Sequence, residues 1–247
     1  MKSLVNLLLL FLPTIPVLAQ QSKTNVIIIS SIHGAHKVNP NYPYDSLFAF
    51  IDRQNPDIIG IEIRAEDIDS SISYLKRNYP YEMYECITKY SQKKVVGFDW
   101  LGDDLSGRSI PENYWKENST IKKLQQKLSA DSFLIQKLSI TNIIQEEKKK
   151  LALNASLEEL NDGRYDLINR IYYSQLGQIL HDTEFKVLSD FYSKRDEMIA
   201  SNIIEIIKNN SGKKIFFLLG ADHRFFTLTK VFERFQDSIL LNQFNPK

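Results

Sequence analysis

Histidines, carboxylates and an arginine recur in this sequence where short apolar runs give way to polar residues. Ser30-Ser31-Ile32-His33-Gly34-Ala35-His36 follows one run, Glu62 and Arg64 close a second, Asp99-Trp100 ends a third, and Gly220-Ala221-Asp222-His223 follows a fourth. Three of the four histidines of the chain fall in these stretches. Imidazole both takes and gives a proton near neutrality, so such a set suits acid–base chemistry, or metal binding when carboxylates join it. Glu62 stands out because Ile58-Ile59-Gly60-Ile61-Glu62-Ile63 surrounds a carboxylate with apolar residues. Desolvation there is costly unless the group is paired, protonated or bound to metal. A salt bridge to Arg64 or another arginine is the plain structural reading. For His33 the plain reading is a loop histidine bonded to backbone, whereas His36 and His223 follow glycine-containing turns directly after strands. Arg195 and Asp196 open the helix that feeds the fourth run. The planar guanidinium of Arg195 suits a carboxylate or a developing oxyanion, and Asp196 also suits a helix first turn for electrostatic reasons alone.

These residues need a scaffold that brings distant parts of the chain together. The runs Asn25 to Ser30, Asp57 to Ile63, Lys94 to Phe98 and Lys214 to Leu219 are short and rich in β-branched residues, which predicts buried parallel strands. Between the first two, Leu47, Phe48, Phe50 and Ile51 lie at helical spacing over Tyr44 to Gln54, with Asp45 as a candidate cap. A second helix is expected over Ile68 to Tyr90. The fold class is α/β, a mostly parallel sheet flanked by helices, with a large helical insertion. The core halves are 21–110 and 193–247, and residues 111–192 form the insertion or cap. Its connection to the fourth strand is a helix over Ser193 to Lys208 carrying Met198, Ile199, Ile203, Ile206 and Ile207 on one face. Lys148 to Lys150, after Glu146 and Glu147, reads as a solvated helix face. Loops leaving the carboxyl ends of parallel strands converge on one crevice, which is where the polar stretches should meet.

The first 20 residues read as a secretory signal peptide: Lys2, an apolar run from Leu7 to Leu12 broken by Pro13 and Pro16, and the small-residue ending Val17-Leu18-Ala19. The run falls short of the roughly 20 residues a spanning helix needs, so a soluble periplasmic or secreted protein cleaved near Ala19 or Gln20 is expected. Cys86 lies too far downstream for a lipid anchor. As the single cysteine it excludes an intramolecular disulfide, and among Tyr84, Ile87 and Tyr90 it reads as a buried inert thiol. A formal charge of +1 before loss of Lys2 gives no basis for a nucleic-acid partner. There is no Gly-x-Ser-x-Gly elbow, no Gly-x-Gly-x-x-Gly loop and no Gly-Lys-Ser/Thr loop.

Four elements together carry a family resemblance: the histidine stretch after the first strand, Asn55-Pro56-Asp57-Ile58-Ile59-Gly60-Ile61-Glu62, Arg195-Asp196-Glu197-Met198-Ile199-Ala200, and Gly220-Ala221-Asp222-His223. The chain resembles the superfamily joining TraB and Tiki proteins, erythromycin esterases and the haem-binding ChaN proteins. The resemblance covers both ends of the mature chain and leaves the middle unassigned. It implies a parallel sheet with an embedded helical region, two Gly-x-x-His motifs, a glutamate after the second strand and an arginine before the last. Gly220 and His223 match the second motif, Glu62 the glutamate and Arg195 the arginine. The first motif departs from the pattern. Either His36 is the motif histidine, with His33 in the glycine's place, or His33 is, with Ser30 there. His36 is favoured, because Lys37-Val38-Asn39-Pro40 resembles the segment following that histidine in some bacterial members.

The resemblance implies a hydrolase, peptidase-like or esterase-like, acting on a small molecule or peptide through His36, Glu62, Arg195 and His223; the signal peptide makes it an exported one, and His33, Arg64, Asp99 and Asp196 are supporting candidates from their places beside these residues. Without metal, a histidine activates water, Glu62 orients it and Arg195 stabilises the oxyanion. In a metal-dependent version His36, Glu62 and His223 ligate a divalent ion, and their nitrogen and oxygen donors fit manganese, cobalt or zinc. Two other classes stay open. One is a haem- or metal-binding protein with the histidines, Tyr42 or Tyr44 as axial groups, and the other is an exported scaffold without chemistry.

Overall fold

A computed structural model describes residues 23–242; the expected signal peptide lies outside them. Five strands, β1 (Thr24–Ser31), β2 (Ile58–Arg64), β3 (Lys94–Asp99), β4 (Lys214–Gly220) and β5 (Ile239–Asn242), form one sheet in the order β3-β2-β4-β1-β5. Every pairing is parallel. The α/β class expected from the alternating runs is what the chain adopts, with β5 as an added edge strand.

The ten α-helices among the described residues are α1 (Tyr44–Gln54), α2 (Ile72–Asn78), α3 (Tyr81–Lys89), α4 (Thr120–Ala130), α5 (Ser132–Lys137), α6 (Ser139–Asn154), α7 (Leu157–Leu160), α8 (Arg164–Leu180), α9 (Lys186–Lys208) and α10 (Ala221–Phe235). The expected helix over Ile68 to Tyr90 is two helices. Pro80 cannot donate to the preceding turn, and it stands as the N-cap of α3 instead. Asp45 lies in the first turn of α1, while Pro43 takes the cap position. The boundary expected at residues 192 and 193 falls inside α9, which runs unbroken from Lys186.

Alternation along the strands divides the core between two faces. Ile27, Ile29, Ile59, Ile61, Phe216 and Leu218 face one side, where Leu47 and Ile51 of α1 and Met83 and Cys86 of α3 cover them. Val26, Ile28, Phe217 and Leu219 face the other and meet Ile199, Ile203 and Ile207 of α9 and Val231 of α10. Each fully buried aliphatic or aromatic side chain contributes roughly 1.5–3 kcal/mol, and all of β2 is buried. Near the end of that strand the register with β3 shifts. Gly97 permits this, since a Cβ there would lie 2.4 Å from the carbonyl oxygen of Ile63.

The strand order places the site. The chain steps outward from β1 to β2 to β3 and then returns to insert β4 between β2 and β1. The ends of β1, β4 and β2 are therefore adjacent at the point where the winding reverses. The segment making that return is the helical insertion, so it lies over the carboxyl rim. It has an apolar core of its own, made by Leu134, Leu138, Leu176, Leu180, Phe185 and Leu188.

Candidate active site

Glu62 is 6% exposed and takes its partners from the far end of the chain. Oε1 accepts from Arg195 Nη2 at 2.7 Å, and Oε2 accepts the backbone N–H of Gly220. Gly220 is the N-cap of α10, so the carboxylate satisfies an amide at the positive end of that helix. Burial pushes the Glu62 carboxyl upward, but His223, Arg195 and His33 outweigh it and hold the group below the usual carboxylate range. Arg195 also donates from Nε and Nη2 to the two oxygens of Asp99, each at 3.0 Å. Two buried carboxylates thus share one guanidinium, and burial raises Asp99 against the pull of Arg195.

The two histidines at this floor are each backed by a carboxylate. His223 lies in the first turn of α10, because that helix starts at once after β4. Its Nδ1 is 2.5 Å from Asp196 Oδ1, and its Nε2 is 3.6 Å from Glu62 Oε1. Opposite it, His33 Nδ1 is 2.7 Å from Glu82 Oε1, while Nε2 is directed at Gly220. A Cβ on Gly220 would lie 2.7 Å from that Nε2 and 3.2 Å from Glu62 Oε2, so only glycine lets the imidazole and carboxylate approach. Burial works to lower both imidazoles. Glu82 and Glu62 overcome it at His33, and Glu62 and Asp196 at His223, so both titrate above the ordinary histidine value.

The preference for His36 over His33 is corrected here. His36 is 1% exposed; Tyr42 O lies 2.7 Å from its Nδ1 and the Ile32 N–H donates to its Nε2. Both nitrogens serve the backbone, so the ring is a neutral strut, and burial keeps its pKa low. His33 itself turns the chain, with φ of 49°. That left-handed conformation costs a residue with a Cβ of the order of 1 kcal/mol or more. The Ser31 hydroxyl, which accepts the His33 N–H, and the Tyr44 hydroxyl, which donates to the His33 carbonyl, hold it there. Arg64 also departs from its expected supporting role. It binds Asp67 and the carbonyls of Leu105 and Arg108, and the arginine that pairs with Glu62 is Arg195.

Three contributors lay outside the expectation. Glu82 of α3 is fully buried, bonds Ser31 Oγ as well as His33, and is held below the usual range by His33 in spite of burial. Lys148 does not belong to a solvated face. It is 4% exposed, lies 2.9 Å from Asp222 Oδ1 and 4.7 Å from the centre of the Tyr172 ring, and donates to Asn169. Asp222, between Gly220 and His223, also accepts from the hydroxyls of Tyr165 and Tyr173. The helical insertion is thereby fastened to the first turn of α10. Above the floor it encloses a cavity of about 510 Å³ walled by Tyr165, Tyr172, Tyr173, Leu176, Tyr192 and others.

The donor set does not fit the expected divalent ion. His36 is turned into the backbone, both Glu62 oxygens are engaged, and a guanidinium stands 2.7 Å from one of them. Among the described residues no group of three or more His, Cys, Asp or Glu side chains is arranged to hold a metal. Of the expected haem ligands, the two tyrosines are engaged: Tyr42 is buried and donates to Ser30 O, and Tyr44 donates to His33 O.

No family model matches the chain, and no curated protein does. Among solved structures it is similar to a mutant of the erythromycin esterase EreC in its open conformation, with a TM-score of 0.35 and 18% identity over 80% of this chain. The match spans 60% of that structure's length.

Proposed function

We propose that this protein hydrolyses a carboxylic ester or lactone at the floor of the cavity, with two carboxylate-backed histidines in place of a metal ion. The observation that carries the reading is the convergence of Glu82–His33 and Asp196–His223 on Glu62. His33 Nε2 takes a proton from water, and the resulting hydroxide adds to the carbonyl carbon. Arg195 carries five N–H donors, and the N–H groups left by Glu62 and Asp99 stabilise the oxyanion. Protonated His223 then gives its proton to the departing alkoxide as the C–O bond breaks, releasing acid and alcohol. Glu62 stays ionised, fixing Arg195 and the Gly220 amide and favouring the charged form of His223. Leucines beside tyrosines, Gln125 and Gln145 suit an uncharged substrate that carries both apolar and hydrogen-bonding surface. With residues 1–20 as an export leader, the reaction takes place in the periplasm or outside the cell.

The test is turnover of a panel of alkyl and aryl acetates by the purified protein with chelator present. Wild-type turnover is expected, with losses of about 100-fold or more in His33→Gln and Glu62→Gln at unchanged circular dichroism. Turnover abolished by the chelator, or equal in wild type and both variants, overturns the reading.

A further inference from the structure

We infer that the substrate site has a second compartment, a cavity of about 550 Å³ beside the first, which takes a flat, uncharged aromatic group of the substrate. This rests on the hydrolase reading and specifies the class of ester. Three residues line both cavities: Gln125 of α4, and Tyr192 and Arg195 of α9. Gln125 donates to the Tyr192 hydroxyl, so a single hydrogen bond between two helices forms the partition, with the Arg195 guanidinium beside it. A substrate whose carbonyl meets Arg195 can thus place one part against the tyrosines of α8 and the other in the second compartment.

The lining selects the chemistry. Trp100, Tyr114, Trp115, Ile121, Val187 and Phe191 supply rings and aliphatic surface. Trp100 and Phe191 lie 5.7 Å apart at 31°, and Tyr114 and Trp115 meet edge to face at 5.0 Å, so both flat faces and ring edges are present. Aromatic rings gain from both arrangements beyond simple burial. Asp103 pairs with Lys194 and Asp190 with Lys186, each at 2.6 Å, and Asp104 accepts from the Tyr114 hydroxyl, so the acidic groups at this cavity are matched locally and do not require a cationic ligand. Trp100 follows Asp99 directly and donates its backbone N–H to that carboxylate, tying the aromatic wall to the group that holds Arg195.

The two tryptophans of the chain both line this compartment, so their fluorescence reads its occupancy. The probe is 4-nitrobenzyl alcohol, a neutral quencher, with cyclohexylmethanol as a non-planar control. Saturable quenching by the first and little by the second is expected. Kinetics of 4-nitrobenzyl acetate against ethyl acetate should show a kcat/KM preference for the aryl ester. That preference should fall about tenfold in Trp100→Leu and in Trp115→Leu, through KM rather than kcat. Saturable quenching without hydrolysis of any ester supports the compartment and sinks the hydrolase reading. Hydrolysis without saturable quenching and without an aryl preference overturns the compartment and leaves the hydrolase reading standing.

Discussion

Glu82 shows what a buried carboxylate does to the histidine it touches. Its charge keeps His33 protonated to higher pH than burial alone would allow, so the acidic limb of kcat/KM should lie above the ordinary histidine value. Glu82→Gln can keep the hydrogen bond but removes the charge, leaving desolvation to dominate. The limb should then move to lower pH while the plateau falls about tenfold, as expected for a weaker base. A pH–rate profile of both proteins checks this, and an unmoved limb would remove His33 from the base role. Glu62 was legible because a carboxylate in an apolar strand demands a partner, although which arginine answered it was not. The choice between His33 and His36 turned on one φ angle and on the Tyr42 carbonyl, neither of which spacing encodes. Glu82 had a fainter mark in the sequence: it lies four residues before Cys86, on the apolar stripe of its helix.

Elements were read best where pattern and punctuation agree. Four strands and α1 follow from apolar runs and helical spacing, and the strand ends delivered the polar rim. The short β5 carries too little pattern to stand out, and Pro80 breaks an otherwise continuous helical period into two helices. The role of α6 was hidden because Lys148 belongs to a run of three lysines whose other two do reach solvent, at 65% and 67% exposed. Only tertiary packing separates the one that caps Asp222 beneath three tyrosines. Lys148→Met would leave Asp222, whose side chain is 35% exposed, without its cation, at a cost of about 1 kcal/mol once solvent screening is allowed for. Chemical denaturation should show the loss. Adding Asp222→Asn should restore a substantial part, since the uncompensated charge goes with it, whereas equal stability of the single and double variants would mean that the ion pair does not fasten α6 to α10.

At the scale of the whole molecule, the charges that build the site also set how stability varies with pH. Glu62, Glu82 and Asp222 titrate below the ordinary carboxylate range in the folded chain. The stability they contribute is present above their unfolded pKa values and is lost as pH falls through the lowered folded ones. His33 and His223 are shifted upward, so their contribution is present below the unfolded histidine value and is lost as pH rises through the raised folded values. The two windows overlap between the unfolded carboxylate and histidine values, roughly pH 5 to 6, and the melting temperature should peak there. Water activation by His33 requires the opposite state, the neutral imidazole. Turnover should therefore climb as His33 gives up its proton and fall again once His223, the proton donor, loses its own, both within the range in which the melting temperature declines. A series of thermal melts from pH 4 to pH 9, beside initial rates at the same pH values, tests the coupling. In His33→Gln the alkaline decline should become shallower, with His223 alone left to produce it. A decline of wild-type steepness in that variant would show that His33 is not held protonated by the fold.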